Sequence, residues 1–314
     1  MTAYIGRRLL SAIPTLILIS MVVFGILALA PGDPLSQFAA NPDIPPEVRE
    51  NIRHQFGLDQ PIPIRYVKWA AAFARGDWGY SFASRFSVSR LILQRLPTDF
   101  WVVGFAYLVA VLLAIPIGVL SAVKQYSVFD QVATTCAFIG FSLPTFFTGI
   151  LFIIIFSVRL HWLPFIFNVQ ATNPAVILKQ AVMPVAVLAL FQSAGLMRFV
   201  RSSMLDNVGQ DYVRTARAKG VSERRVIVRH VLRNGLIPVV TLLALGLPAV
   251  FTGAVITEQI FRVPGIGSLL IASIQNSDTP VVMAITFVYA ILVVLFNLVA
   301  DVIYGLLDPR IKYG

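Results

Sequence analysis

Six long stretches of the sequence contain no charged residue. They are 18 to 28 residues long and cover 9–32, 100–123, 131–158, 180–197, 234–257 and 279–300. A helix needs about 20 predominantly apolar residues to cross the hydrocarbon core of a bilayer. The pattern therefore predicts an all-α membrane protein with six transmembrane helices.

The polar segments between these stretches complete the predicted topology. The first apolar stretch ends in Ala28-Leu29-Ala30 and resembles a signal peptide, but it exceeds the roughly 7–15 residues of a signal core, so we expect a retained helix. The predicted transmembrane helices cover 9–30, 98–123, 131–158, 179–200, 235–257 and 279–304. The N-terminus (1–8), the loop 201–234 and the tail 305–314 are expected to be cytoplasmic. The segment with short helices (31–97), the loop 159–178 and the re-entrant or surface segment 258–278 are expected to be extracytoplasmic.

The distribution of basic residues sets the expected orientation. With six spans, both termini share a side with the basic loop, and that side holds 14 of the 25 Lys and Arg residues. Segments longer than about 60 residues do not count in the positive-inside rule. Leaving out 31–97 gives 14 basic residues against 3. The rule therefore predicts cytoplasmic N- and C-termini.

Composition supports a membrane protein and excludes a disulfide framework. The 314 residues are 57% hydrophobic and 13% charged, with mean hydropathy +0.80. Soluble domains carry about 25% charged residues. Cys136 is the single cysteine, so no internal disulfide or cysteine-based metal site can form, and we expect it to be a small hydrophobe.

The densest run of charge lies between Arg198 and Arg233, where nine basic residues occur. Asp211 is placed to cap a short helix that Gly220 ends, and Ser222 to cap a second helix. On the second helix Arg225, Arg229 and Arg233 recur every four residues. Val221, Val228 and Leu232 lie on an adjoining face, which Ile227 and Val231 widen. The pattern predicts a compact knob of two short helices.

Four interpretations of this knob compete. A DNA-binding helix-turn-helix is disfavoured because both ends are tethered to spans and a third helix is missing. A substrate site would lie on the wrong side for uptake. Two interpretations stay open on physical grounds: a basic loop that sets topology and attracts anionic lipid, and a docking element for a cytoplasmic partner.

The loop resembles the coupling loop of ATP-binding-cassette (ABC) transporter permeases, whose signature is Glu-Ala-Ala, three residues, then Gly. Arg214-Thr215-Ala216 and Gly220 occupy those positions, with Arg214 in place of the glutamate and a later Leu236-Ile237-Pro238. Both departures are similar to the branch that imports dipeptides, oligopeptides, glutathione or nickel. Further motifs of that branch are APGDP (30–34), GLDQP (57–61), GDWGYSF (76–82), IPIGVLSAVK (115–124), VRSSML (200–205), EQIFRVPGIGSLL (258–270), TPVV (279–282) and LLDPRIKYG (306–314).

The resemblance implies a type I importer permease fold, with one permease domain over about 95–310, in the bacterial inner membrane. It implies four kinds of partner: a second permease, two ATP-binding subunits, an extracytoplasmic binding protein and the bilayer. ATP and Mg²⁺ would be bound by the ATPase subunits, so this chain is expected to hold no cofactor or metal and to have no catalytic residue. The residues expected to contact the ATPase are Val213, Arg214, Thr215, Ala216, Arg217, Ala218, Lys219, Gly220, Val221, Ser222 and Arg224.

Other functional assignments rest on fewer residues. Polar side chains within the predicted spans are candidates for lining a pathway, or for bonding between helices: Ser142, Gln192, Ser193, Thr252 and Asn297. No Asp, Glu, Lys, Arg or His lies inside the six charge-free runs, which disfavours an ion-coupled transporter. The absence of Gly-x-x-x-x-Gly-Lys-Ser/Thr excludes a phosphate-binding loop of that type. The sequence thus predicts a peptide-type importer permease that is not itself an enzyme, the alternative being a channel or facilitator with a basic loop.

Overall fold

A computed structural model of the chain describes residues 2–29 and 59–307, together with Glu47 and His54. Within these residues the regular secondary structure is helical, apart from one isolated antiparallel β-bridge between Tyr80 and Ser87. The elements are α1 (Thr2–Leu29), α2 (Ile62–Ala74), α3 (Val88–Leu93), α4 (Leu96–Val123), α5 (Val128–Ser142), α6 (Thr145–Phe152), the π-helix π1 (Ile153–Arg159), α7 (Pro174–Val208), α8 (Asp211–Ala218), α9 (Glu223–Arg225), the π-helix π2 (Val226–Val231), α10 (Leu232–Gly253), α11 (Val255–Phe261), α12 (Ile266–Gln275) and α13 (Thr279–Leu307).

Five stretches of the described chain are single helices long and apolar enough to cross a membrane. Two further pairs of short helices qualify only when each pair is taken together, which gives up to seven spans. The predicted third span is one of these pairs, because α5 and the helix formed by α6 and π1 are bent by 103° about a break. Leu143 is extended there (φ −83°, ψ 127°) and Pro144 precedes α6. A residue before proline avoids the helical conformation, which explains the break.

The chain divides into two compact units. The first comprises Met1–Pro97 and Gly265–Leu295. Its described part contains an aromatic cluster in which Trp69 contacts Phe24, Phe73 and Phe287, with ring centroids 5.6 to 5.7 Å apart. The part of the predicted extracytoplasmic segment between 31 and 58 lies outside the described residues, apart from Glu47 and His54.

The second unit comprises Thr98–Pro264 and Phe296–Gly314 and contains the basic loop. Its two hydrophobic clusters both use α7, the 35-residue helix that precedes the loop. One cluster contains Met183 and Phe261. The other contains Val200 and Met204 and continues into the loop itself. The loop is therefore packed as part of the helix bundle.

The predicted 159–178 loop is shorter in the structure because α7 begins at Pro174. The side chain of Asn173 caps this helix by accepting a hydrogen bond from the Ala175 amide at 2.9 Å. Upstream, Gln180 Oε1 accepts from the Asn168 amide at 2.8 Å. These bonds fix the first turn of α7. Because the basic loop follows the C-terminus of α7, they also help to fix the position of the loop.

Candidate coupling site

One face of the short helix α8 packs against the helix bundle, and the other face is exposed. Val213 is fully buried and Ala216 is 7% exposed, and both belong to the hydrophobic cluster around Val200 and Met204. Arg214, Thr215, Arg217, Ala218 and Lys219 are exposed. Val213 and Ala216 therefore anchor α8 to the bundle, and contact with an ATPase stays a prediction for the whole set.

The C-terminus of α8 has the predicted glycine turn. Gly220 adopts φ +73°, a left-handed conformation that glycine adopts at little cost. Its amide donates to the Arg217 carbonyl at 2.9 Å, and the Val221 amide donates to the Ala216 carbonyl at 3.2 Å. These are the bonds of a helix C-terminal motif that satisfies otherwise free carbonyls. The turn is thus fixed by hydrogen bonds as well as by residue type.

The helix starts differ from the predicted caps. Asp211 is the first residue of α8 and Gln210 occupies the N-cap position. Ser222 does occupy the N-cap of the second helix, but its hydroxyl makes no capping hydrogen bond. The Arg225 amide donates instead to the Ser222 carbonyl at 2.9 Å. Backbone turns therefore start the second helix without help from a side-chain cap.

Arg217 is paired within the knob. Its guanidinium donates to both Glu223 carboxylate oxygens, at 3.1 Å from Nε and 2.6 Å from Nη2. This hydrogen-bonded pairing raises the pKa of Arg217 above its usual range. The guanidinium group of Arg217 is therefore directed first at Glu223, and the pair connects the first short helix to the second. Lys219 and Arg224 are exposed and make no ion pair within the described residues.

The second helix packs through most of its predicted apolar face, since Val231 belongs to the hydrophobic cluster and Val221, Ile227 and Leu232 pack against it. Val226 and Val231 in π2 are fully buried, whereas Val228 is 56% exposed. A π-helix forms i→i+5 hydrogen bonds and so turns less per residue than an α-helix. This shifts Val228 away from the bundle and towards the side that carries the arginines.

The two long helices that flank the loop, α7 and α10, contact each other closely at Ser203 and Gly235. Ser203 Oγ donates to the Gly235 carbonyl at 2.7 Å. A β-carbon on Gly235 would lie 3.0 Å from Met204 Sδ. Because α7 and α10 approach this tightly, a displacement of α8 is expected to move both helices together.

A buried ion pair that sequence reasoning missed lies on α7, before the loop. Arg201 donates to Asp130 from Nε to Oδ1 at 2.7 Å and from Nη2 to Oδ2 at 2.8 Å. Asp130 also accepts from the Ser121 hydroxyl and, at 2.9 Å, from the Tyr126 amide. The local signal was Ser127 three residues before Asp130, the spacing of an N-terminal capping motif. Nothing in the sequence pointed to Arg201.

The predicted pathway residues are not brought into one cavity. Gln192 lines a cavity of about 550 Å³ together with Tyr107 and Gly246. Ser193 lines a separate, mostly apolar cavity of about 610 Å³, and its hydroxyl donates to the Leu190 carbonyl at 3.0 Å. Ser142 and Asn297 are exposed. The side chain of Thr252 lies outside what the structure describes, and pathway lining remains a prediction for all five.

Comparison with known proteins decides the family. Residues 114–313 match the family model of the binding-protein-dependent transport system inner membrane component, and residues 1–103 match the N-terminal model of the same membrane component. The chain belongs to this family. It is a permease component of an ABC transport system and a multi-pass inner-membrane protein, as predicted from the loop and its companion motifs.

Curated relatives extend over the whole chain. The oligopeptide transport system permease protein AppB of Bacillus subtilis (strain 168) is 42% identical over 318 residues, covering 100% of both chains. The glutathione transport system permease protein GsiC of Salmonella choleraesuis (strain SC-B67) is 38% identical over 313 residues, again with full coverage of both.

The fold is also similar to that of a solved transporter. The crystal structure of an amino acid ABC transporter with histidines matches with a TM-score of 0.55 at 14% identity, covering 69% of this chain and 94% of that one. At this identity the likeness concerns the fold alone. It confirms the predicted permease fold in its helical architecture.

Proposed function

We propose that this chain forms half of the translocation pathway of an ATP-driven importer for peptides or peptide-like substrates. In this proposal α8 and the Gly220 turn couple it to an ATPase subunit. The observation that carries the coupling role is the one-sided burial of α8, whose inner face is held in the bundle while its outer face is exposed and basic. The names of the relatives support a peptide or glutathione substrate.

The proposed mechanism uses the rigidity of the knob. Two buried residues, Val213 and Ala216, fix α8 to the chain, and the Arg217–Glu223 pair braces it against the second helix. An ATPase that grips the outer face would therefore move α8 together with α7 and α10 instead of bending it. A second permease, a second ATPase subunit and an extracytoplasmic binding protein complete the proposed assembly, with both termini of this chain in the cytoplasm.

Uptake in cells tests the proposal. Cells lacking this chain are given back the wild type, Ala218→Glu or Gln125→Glu, and accumulation of a labelled dipeptide, tripeptide and glutathione is measured with and without ATP depletion. Ala218 is exposed on the outer face of α8. Gln125 is an exposed residue of the turn between α4 and α5, and its substitution introduces the same charge. We expect ATP-dependent accumulation with the wild type and Gln125→Glu, and its loss with Ala218→Glu.

Co-purification distinguishes the two parts of the proposal. An ATP-binding subunit should copurify with the wild type and with Gln125→Glu but not with Ala218→Glu. If labelled substrate only equilibrates across the membrane and does not respond to ATP depletion, the chain acts as a channel and the importer role is wrong. If Ala218→Glu accumulates substrate normally, α8 is not the coupling element.

A further inference from the structure

A basic concavity on the second helix of the knob has no role in the proposed coupling contact. It has a volume of about 650 Å³ and is open to the outside. Its wall is formed by Ser222, Arg224, Arg225, Val228, Arg229 and Arg233. Four positive charges therefore face one space whose lining contains no carboxylate.

The π-helical segment explains why the arginines share one side. In an α-helix, residues four apart are rotated by about 40°, so Arg225, Arg229 and Arg233 would drift around the axis. A turn of π2 contains more than four residues, so this drift is reversed between Arg225 and Arg229. The three arginines consequently all line the same concavity, whereas Val226 and Val231 are buried in the bundle.

These arginines are not engaged by the rest of the described chain. Arg224, Arg225, Arg229 and Arg233 are all exposed, and none of them makes an ion pair within the described residues. The nearby carboxylates are used elsewhere, since Glu223 pairs with Arg217. Four uncompensated charges on one face require an anionic partner or bulk water.

The depth of the concavity favours a lipid partner. The charge-free run of the fifth span begins directly after Arg233, and the helix continues into it as α10. Arg229 and Arg225 lie roughly 6 and 12 Å further out along the axis. The headgroup layer of a bilayer is roughly 5–8 Å thick on each side. Arg233 and Arg229 therefore lie at the level of lipid phosphates.

Apolar residues on the same side extend this match. Val228 is 56% exposed between the arginines, and Ile237, one turn into α10 from Arg233, is 37% exposed. A surface that passes from guanidinium groups to exposed aliphatic side chains is complementary to a phosphate joined to acyl chains.

We propose that this concavity binds the phosphate of an anionic phospholipid from the adjacent leaflet. Guanidinium groups suit this ligand because they can donate two parallel hydrogen bonds to phosphate oxygens. Basic pockets at this depth on membrane proteins bind anionic headgroups. The site requires that α10 crosses the membrane but does not depend on a transport role.

Lipid binding to the purified full-length chain in detergent tests the site. Native mass spectrometry is used to titrate phosphatidylglycerol against phosphatidylcholine with identical acyl chains, for the wild type, R229Q/R233Q and R7Q/R8Q. The last variant removes two basic residues from the start of α1 and is the matched control. One basic side chain near an anionic surface contributes about fivefold in affinity. We expect R229Q/R233Q to weaken phosphatidylglycerol binding by roughly twentyfold and R7Q/R8Q to leave this site intact.

Further arms identify the source of the anion. Inorganic phosphate at the same concentration should not displace phosphatidylglycerol; full displacement would show a site for free phosphate and overturn the lipid assignment. An unchanged lipid preference in R229Q/R233Q also overturns it. The same conclusion follows if this variant loses a copurifying ATPase while keeping the wild-type lipid preference, because the arginines would then serve a protein contact.

A milder variant keeps the test valid if the double substitution fails to fold. R229Q removes one of the two guanidinium groups at headgroup level and should weaken phosphatidylglycerol binding by about fivefold. R229K/R233K keeps both charges but loses the paired hydrogen bonds, so anionic preference should persist with lower affinity. Wild-type binding by R229Q would contradict the proposal.

Discussion

Arg201 binds Asp130 through two parallel hydrogen bonds of 2.7 and 2.8 Å, although the residues are 71 positions apart. The Asp130 side chain is 4% exposed and that of Arg201 is 23% exposed. Asp130 also accepts bonds from Ser121 and Tyr126, so one carboxylate ties the turn between α4 and α5 to α7. Because α7 leads directly into the knob, this pair fixes the base from which α8 projects.

Removing the carboxylate should destabilise the chain strongly. Asp130→Asn leaves the partly buried Arg201 without its counter-charge, which costs about 3 kcal/mol when a buried pair is broken on one side. Thermal unfolding in detergent should show a clearly lower midpoint than the wild type. Asp206→Asn, an exposed position on α7, is the control and should unfold like the wild type. Equal midpoints for Asp130→Asn and Asp206→Asn would show that the pair contributes little.

The Gly220 turn should tolerate no β-branched residue. At φ +73° an L-residue is strained by about 1–2 kcal/mol, although the space around a Cβ is open. Gly220→Val is therefore expected to reorient α8 and to abolish ATP-dependent uptake while the chain still inserts into the membrane. Gly209→Val is the control because Gly209 has φ −83° and open space around it. Wild-type uptake by Gly220→Val would contradict a role of this turn in coupling.

Much of the coupling site follows from the sequence, and each feature that the sequence did not predict has a specific physical cause. The left-handed Gly220 was predictable because few residues other than glycine adopt that conformation. Val228 was assigned to the wrong face because the pattern assumed 100° per residue, whereas π2 turns less. The 103° break before Pro144 does not follow from the sequence, since a proline in a predicted span indicates a bend but not its angle. The pairing of Asp130 with Arg201 depends on packing between distant helices, and a single sequence does not record it.

The contact between α4 and α7 should be sensitive to one glycine. A β-carbon on Gly118 would lie 2.8 Å from the Met197 carbonyl oxygen and from Val200 Cβ. Because both helices are packed in the bundle, Gly118→Ala should cost about 1–3 kcal/mol through overpacking. Gly104→Ala on the same helix is the matched control, since nothing lies within 4 Å of its Cβ position. Thermal unfolding in detergent compares the two, and a midpoint for Gly118→Ala equal to that of Gly104→Ala would show that the helices separate without cost.

Within the first unit, Asp278 should hold the turn around residues 81–84. Its buried carboxylate accepts from the Ser81 hydroxyl and from the amides of Phe82, at 2.9 Å, and Ala83, at 3.4 Å. Asp278→Ala removes these acceptors, and a buried donor left without a partner costs about 1–3 kcal/mol. We expect the turn to open, which limited trypsin digestion at Arg85 detects as faster cleavage of the native protein.

Asp77→Asn is the control for this experiment because Asp77 is exposed and keeps an oxygen acceptor for the Gly79 amide. Its cleavage rate at Arg85 should equal that of the wild type. The cleavage rate of Asp278→Asn should fall between those of Asp278→Ala and the wild type, because an amide retains one acceptor oxygen but loses the charge that strengthens the hydrogen bonds. If Asp278→Ala is cleaved at the wild-type rate, the turn is held by its own backbone bonds, such as the 2.9 Å bond from the Ser81 amide to the Phe86 carbonyl, and Asp278 is dispensable for its shape.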